Sequence, residues 1–305
     1  MLLPVAPDIR RATFRLPLGI DHVHCYFLRA SDGSWTLVDT GLGTDDPEAA
    51  WAPLLAELDA PVERIFVTHM HPDHVGGAAD VASLTGAAVF QGRADHEQAL
   101  RVWGPERERG RVDAWMQAHG LPDELAGGSD LLAGRVRIAL DPVLLDPGDD
   151  LDGWRVLHLP GHADGHLVLW RDGVLVAGDT ILGQITPQVG LYPECRADPL
   201  ADYLDSLARI GELLPTLALP GHGPLLADAA ARSREIVAHH AERLDDAAAA
   251  LTGGPRNAYE VSLRLWGRVP PAQRRFALTE ALAHLVRLVH LGRAEQLEGN
   301  LFAAA

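Results

Sequence analysis

Short apolar runs bounded by turn residues alternate along the chain with stretches whose apolar positions recur every three or four residues. Cys25–Leu28 and Trp35–Val38 flank Ser31-Asp-Gly-Ser34. Asp-Gly accepts the positive φ of a tight hairpin, so the two runs read as paired strands. Asp46-Pro47 offers an N-cap and a proline at the first helical position, opening a helix to about Leu58 with Trp51, Leu54, Leu55 and Leu58 on one face. Strands are expected at Arg64–Val67 and Ala88–Phe90, and residues 91 to 134 read as helical and mixed in charge, with Trp103, Trp115 and Met116 among Arg and Glu. From Arg135 the strand pattern returns at Val136–Ile138, Val143–Leu145 and Trp154–His158, then in a hairpin of Leu167–Trp170 and Val174–Val176 around Arg171-Asp-Gly173. Asp198-Pro199 opens a second helix to about Leu214, Thr216–Leu219 is a short strand, and residues 226 to 251 form an Ala-rich helix.

Two similar halves of this kind suit an α/β architecture with two sheets packed face to face and helices outside. Thr252-Gly-Gly-Pro255 reads as a linker, followed by a short helix at Tyr259–Trp266, a Pro270-Pro271 break, and a helix that keeps Leu278, Leu282, Leu285 and Val289 at helical spacing up to Gly292. The chain is therefore expected to comprise a main domain over residues 1–252, with 91–134 as a helical insertion, and a small helical appendage over 253–305.

Composition narrows the class. At 305 residues, 47% hydrophobic and 22% charged, the chain can bury a sizeable core and is neither disordered nor membrane-embedded in character. The net charge is −16, and all 26 basic residues are arginine. An acidic chain repels phosphate backbones, so nucleic acid would need a local basic patch. Two cysteines far apart, Cys25 and Cys195, make neither a disulfide framework nor a thiolate metal site, whereas 15 histidines point to metal or proton chemistry. The N-terminus lacks a basic, then apolar, export signal, and no apolar run approaches the roughly 18 residues that span a bilayer. A cytoplasmic protein without a membrane partner is expected.

The candidate chemistry lies in Thr68-His-Met-His-Pro-Asp-His-Val-Gly-Gly77, directly after a predicted strand. On a strand-end loop, His69 and His71 can converge from one face while Asp73 and His74 turn to a neighbouring position. Imidazole and carboxylate suit zinc, iron or manganese, and two such groups could hold two ions a few ångströms apart. Two further strand ends carry Pro160-Gly-His162 and Pro220-Gly-His222, and Gly178-Asp179 ends another. Each reads as a tight turn presenting one ligand.

In these motifs the chain resembles the metallo-β-lactamase-fold hydrolase superfamily, over roughly residues 14 to 240. The resemblance implies an αββα sandwich with the site at one edge and a winged-helix-like C-terminal segment. It implies one metal on His69, His71 and His162, a second on Asp73, His74 and His222, and Asp179 between them. Two divalent ions, zinc foremost with iron or manganese as alternatives, would hold a hydroxide as nucleophile. Asp73 would then carry a proton to the leaving group. Asp39 and His166 match positions that orient ligand imidazoles. His22 and His24 reach either the pocket rim or solvent. His96, His119, His158, His239, His240, His284 and His290 read as surface or packing residues, and the Trp103, Trp115 and Met116 group as either a satellite core or part of a wall of the substrate pocket.

Within the superfamily the likeness is to the hydroxyacylglutathione hydrolase-like branch, which implies hydrolysis of an ester or thioester of a small acyl substrate, glyoxalase-II-like or lactonase-like. Two readings compete: a winged-helix-bearing endoribonuclease-like enzyme and an iron-dependent sulfur dioxygenase-like oxidoreductase. The absence of lysine leaves a glutathione grip unassigned. Tyr192 lies too far past Asp179 to match the lactonase tyrosine. Residues 253–305 hold seven Arg against four Glu, a local +3 beside a body of −19, with a single arginine, Arg287, in the helix 277–290. Nucleic-acid binding is accordingly not expected. The appendage is expected to pack on the main domain, close the pocket or form a homodimer contact.

Overall fold

The computed structural model describes residues 1–17, 19–127, 132–193, 195–267 and 269–305, so part of the 91–134 insertion and Arg268 lie outside the described residues. The first sheet runs in chain order: β1 (Leu3–Ala6), β2 (Ile9–Arg15), β3 (His22–Arg29), β4 (Trp35–Val38), β5 (Val62–Val67), β6 (Ala88–Gly92) and β7 (Val143–Leu145). It is antiparallel up to β4 and parallel beyond it. The second sheet has the order β12-β11-β10-β9-β8, with β8 (Asp150–Leu151), β9 (Trp154–His158), β10 (Leu167–Arg171), β11 (Val174–Gly178) and β12 (Leu217–Pro220). Only β11 and β12 in this sheet run parallel.

The side-chain alternation of β3 shows how the layers form. Tyr26 and Leu28 meet Val156 and Leu169 of the second sheet, while Cys25 and Phe27 meet Trp51 of α1 (Pro47–Leu55) and Val81 of α3 (Ala78–Thr85). The outer face of the second sheet, Leu157 and Leu175, packs on Tyr203 and Leu207 of α6 (Pro199–Leu213) and Ile236 of α7 (Ala229–Ala250). The result is the αββα sandwich. Asp46, Asp198 and Asp228 each cap a helix by accepting a backbone N–H, and Pro47 and Pro199 sit in the first turns, as their sequence positions require.

Some elements differ from the sequence expectation. The first helix stops at Leu55, short of Leu58. Val136–Ile138 is buried and extended but joins no sheet: Arg137 N–H donates to the Gly76 carbonyl at 2.7 Å, and its carbonyl accepts from Ala79 N–H at 2.8 Å. The alternation is genuine, yet the backbone partner is the start of a helix and not a strand. The insertion contributes α4 (Arg93–Trp103) and α5 (Arg111–Ala118); Met116 is buried in the core with α6, and the Trp103 indole donates to the Met70 carbonyl at 2.8 Å.

After α7 come α8 (Ala258–Trp266), α9 (Pro271–His290) and an unforeseen hairpin, β13 (Ala294–Leu297) with β14 (Leu301–Ala304). Leu278, Leu282, Leu285 and Phe302 join the same core as α6 and α7. Between α7 and α9, the imidazoles of His240 and His284 meet at 3.3 Å, both fully buried.

Burial pushes His240 down to about 3 and His284 down to about 4. An unfolded chain protonates both near its ordinary value of about 6.5, so stability is present above that pH and falls as pH drops toward the folded values. Glu280, pushed up by burial to about 7, works in the opposite sense. We expect a His240→Leu/His284→Leu double variant, which keeps Glu280, to lose less melting temperature than the parent between about pH 7 and about pH 5. Equal losses in thermal denaturation would contradict this.

Candidate metal centre

All seven ligand-type residues lie at strand ends on one edge of the sandwich. β5 ends at Val67, and His69 to His71 follow as extended chain; His71 then precedes Pro72, whose fixed φ starts the one-turn helix α2 (Pro72–Val75). That turn brings Asp73 and His74 to the His222 side while His74 stays beside His69, their ring centroids 4.1 Å apart. On the second sheet, β9 leads into Pro160-Gly-His162, β11 into Asp179, and β12 into Gly221-His222. The parallel register pairs Gly178 with Pro220, and Gly221 N–H donates to the Gly178 carbonyl at 2.8 Å. Two bonds lace the sheets together here: His24 N–H to the Gly221 carbonyl at 2.7 Å and Tyr26 OH to the Pro220 carbonyl at 2.7 Å.

The hydrogen bonds behind the imidazoles decide which nitrogen faces inward. His74 Nδ1 donates to Asp39 Oδ2 at 2.7 Å, His162 Nδ1 to the Gln188 carbonyl at 2.8 Å, and His222 Nδ1 to the His22 carbonyl at 2.6 Å. His69 Nδ1 faces Thr68 Oγ1 at 3.0 Å, and that hydroxyl spends its own proton on Asp39 Oδ2 at 2.8 Å. Each of these four rings therefore turns an Nε2 lone pair inward. His71 is reversed: its Nδ1 lies 3.0 Å from His69 Nε2 and 2.8 Å from His162 Nε2.

The donor atoms form three groups, each within 4.8 Å: His69, His71 and His162; His69, His74 and Asp179; and Asp73, His74 and His222. Asp179 Oδ2 touches both sides, at 3.4 Å from His74 Nε2, 3.1 Å from His222 Nε2 and 3.7 Å from His162 Nε2. His74 Nε2, His222 Nε2 and Asp179 Oδ1 are buried and have no hydrogen-bond partner among the described residues. Lone pairs facing one another in a dry site are costly unless a cation sits among them, so these residues fit two divalent ions.

The electrostatics agree. Burial pushes the His71 imidazole down to about 3. Burial also opposes a charge on His222, but Asp179 beside it prevails and carries that imidazole up to about 10. His74 is raised in the same way, against burial, by Asp179 and Asp39. The carboxylates thus call for positive charge where the imidazoles converge. Burial resists ionisation of Asp73, yet the His222 imidazole 3.4 Å away holds its carboxyl below the usual range.

Behind the ligands, Asp39 (φ 58°) accepts from Thr68 N–H at 2.8 Å as well as from the Thr68 hydroxyl and His74. His166 stacks on His69 with ring centroids 4.5 Å apart and accepts from Asp179 N–H at 3.2 Å. His22 and His24 clasp the His222 turn: His22 Nε2 accepts from Gly223 N–H at 3.0 Å, and His24 Nε2 donates to the Gly223 carbonyl at 2.9 Å. Sequence reasoning missed Asp95, which is fully buried, accepts from Met70 N–H at 2.9 Å and so holds the loop between His69 and His71. No pattern marks it, because its partner is a backbone group brought there by the fold. Of the other histidines, His158 donates to the Asp164 carbonyl at 2.7 Å, His119 to the Trp115 carbonyl at 2.8 Å, and His290 lies 2.8 Å from Asp198 Oδ2.

The family model of the metallo-beta-lactamase superfamily matches residues 18–222. The chain belongs to the metallo-beta-lactamase superfamily. A second model, the metallo-beta-lactamase-like C-terminal domain, matches residues 244–301. The chain is similar to the Bacillus subtilis protein named "Probable metallo-hydrolase YqjP", 26% identical over 290 residues that cover 88% of each chain. It is also similar to a hydroxyacylglutathione hydrolase of Anaeromyxobacter dehalogenans, 33% identical over 242 residues, 74% of this chain and 77% of that one. In three dimensions it resembles a metallo-beta-lactamase family protein from Thermus thermophilus with a TM-score of 0.88 and 34% identity, covering 98% of this chain and 99% of the other. A beta-lactamase domain protein from Burkholderia ambifaria aligns equally well, with a TM-score of 0.88, 29% identity and coverage of 100% and 94%. Within the superfamily the chain is a metallo-hydrolase with a candidate His and Asp cluster for divalent metals. No helix among the described residues is long and apolar enough to cross a membrane.

Two substitutions test how the superfamily site is supported. Asp39→Asn places an amide against three donors, and we expect metal affinity to fall roughly 10- to 100-fold in a chelator competition. A Cβ at Gly221 would stand 2.4 Å from Asp179 Oδ1 and 2.6 Å from His74 Cε1, so Gly221→Ala is expected to lower metal content by elemental analysis. Parent-like metal binding in both variants would refute the geometry described.

Proposed function

We propose that this protein is a zinc-dependent hydrolase of an ester or thioester bond in a small acyl substrate. The observation that carries this reading is the convergence of inward-facing lone pairs from His69, His71, His74, His162 and His222 on the carboxylates of Asp73 and Asp179. His69, His71 and His162 would hold one ion, and Asp73, His74 and His222 the other, with Asp179 between. When bound, the ions supply Lewis acidity and ionise a water at neutral pH.

The chain's own residues account for the remaining work. Asp39, Thr68, Gln188 and His22 fix the tautomers of the ligand imidazoles from behind. Asp73, with its carboxyl held below the usual range and its side chain 13% exposed, is ionised and open to solvent beside the candidate metal centre. It can therefore accept a proton and return it to a departing alkoxide or thiolate.

Likeness to a hydroxyacylglutathione hydrolase supports the thioester side of the proposal. The C-terminal segment argues against an RNA substrate: α9 buries Leu278, Thr279, Ala281, Leu282, Leu285 and Leu288, and its Arg274, Arg275 and Arg287 are engaged by Tyr259, Asp113 and Asp198. The hairpin β13–β14 adds Glu295 and Glu298. We further propose that the protein acts in the cytoplasm, with residues 1–252 as the catalytic domain and 253–305 as its covering segment.

The test begins with elemental analysis and then a screen of thioesters, lactones and RNA with protein stripped of metal and reloaded with zinc. Stripping should abolish hydrolysis and zinc should restore it; Asp73→Asn should lower kcat about 10²- to 10⁴-fold, the usual worth of a positioned proton-transfer group. Rates unaffected by both Asp73→Asn and His162→Ala would remove the assigned site. Bound iron with oxygen uptake and no hydrolysis would favour the oxidoreductase reading instead.

A further inference from the structure

His162 differs from the other ligand-type histidines in how it is held. Its Nδ1 donates to a carbonyl in the loop that follows Asp179, that of Gln188, and this loop is fastened from the far end of the chain. The Gln188 side-chain amide donates to Thr279 Oγ1 at 2.8 Å and lies 3.3 Å from the Tyr192 hydroxyl. Thr279, fully buried on α9, donates to the Phe276 carbonyl at 3.0 Å, and its own carbonyl accepts from Leu191 N–H at 3.0 Å.

The loop has no room to spare. A Cβ at Gly190 would stand 2.7 Å from Gln188 Nε2, 2.8 Å from Thr279 Oγ1 and 2.8 Å from Tyr192 Cε2. The knot lies beside Leu278 and Leu282, in an otherwise apolar interface. Apolar side chains alone could anchor α9 there. A satisfied polar network in such a place adds what apolar packing lacks, which is a fixed orientation.

We propose that Thr279 is a positioning residue for His162: through Gln188 it sets the carbonyl that receives the Nδ1 proton and so aims Nε2 at the cation, making the C-terminal segment part of the metal centre. The inference rests on His162 being a ligand, as argued in the preceding section. Tyr192 completes the knot and holds Gln188 from its second side.

The experiment measures zinc affinity by competition with a chromophoric chelator, and the visible spectrum of the cobalt-substituted full chain, for Thr279→Val, Thr279→Ser, Gln188→Ala and His162→Ala. Thr279→Val should weaken one of the two ions about tenfold or more, the usual effect of losing a group that orients a ligand imidazole. It should also alter the cobalt bands, and Thr279→Ser should restore both. Gln188→Ala should act in the same direction. A lowered melting temperature with parent-like zinc affinity and cobalt spectrum would overturn the proposal and leave the knot as packing only. If Thr279→Val does not fold, Gln188→Ala, which leaves α9 intact, decides alone. His162→Ala separates the two layers of argument: retention of both ions at parent affinity would overturn the ligand assignment itself, whereas loss of one ion there with none in Thr279→Val and Gln188→Ala would overturn only the tether.

Discussion

The structure depends on one constraint: basic nitrogens and carboxylate oxygens must face one another in a nearly dry space without protons between them. His71 Nδ1 lies 3.0 Å from His69 Nε2 and 2.8 Å from His162 Nε2, and Asp179 stands beside three imidazoles. In a chain without a cation these groups would repel or would take up protons that burial disfavours. The protein meets the constraint from the outside. Each of four rings has its other nitrogen tied to an oxygen, and those oxygens come from Thr68, Asp39, Gln188 and His22, on four separate segments. No single element could supply such a cage, so the ligand geometry is a property of the assembled sandwich.

The sheet ends follow from the same demand. Parallel neighbours such as β4 and β5, or β11 and β12, finish side by side, and loops leaving them start from nearly the same point in space. The antiparallel strand β3 begins where β4 ends, which brings its first residues, His22 and His24, to that edge. Buried Tyr26 and Phe66 keep the sheets together behind it. Removing a large side chain from such a core costs about 3 to 5 kcal/mol, and here the cost would extend to the register of the ligands.

Local chemistry made the candidate ligands legible in sequence and left most of their supports unreadable. His69, His71, Asp73 and His74 sit in one run, and His162, Asp179 and His222 each stand beside glycine at a strand end, so both residue type and turn are written in adjacent letters. The same holds for Asp46 and Asp198, whose caps lie within three residues. Asp95, Gln188 and Thr279 carry no such mark, because the groups through which they support the site, the Met70 N–H, the His162 imidazole and the Gln188 amide, lie far along the chain from them. β1 at the sheet edge and β2 beside it are hard to read because β1 is short and exposed and three arginines interrupt the apolar alternation of β2. The β13–β14 hairpin turns on Gly299 and Asn300, both at positive φ, in a stretch too polar to read as strand. Val136–Ile138 shows the converse, a strand-like pattern whose backbone partner turned out to be a helix.

The two segments outside the ligand set are also fastened to each other. Arg275 of α9 pairs with Asp113 of α5 and donates to the Leu125 carbonyl at 3.2 Å, while Tyr259 N–H of α8 donates to the His119 carbonyl at 3.2 Å. The Asp113–Arg275 pair is largely buried, and truncating one member of such a pair leaves the other charge uncompensated. The insertion therefore cannot be reshaped without disturbing α9, and α9 in turn reaches the Gln188 loop through Thr279. Two segments coupled this way change by paired substitutions, one in the insertion and one in the C-terminal segment, because a lone change in either would unsettle both the contact between α5 and α9 and the reach of α9 to the Gln188 loop.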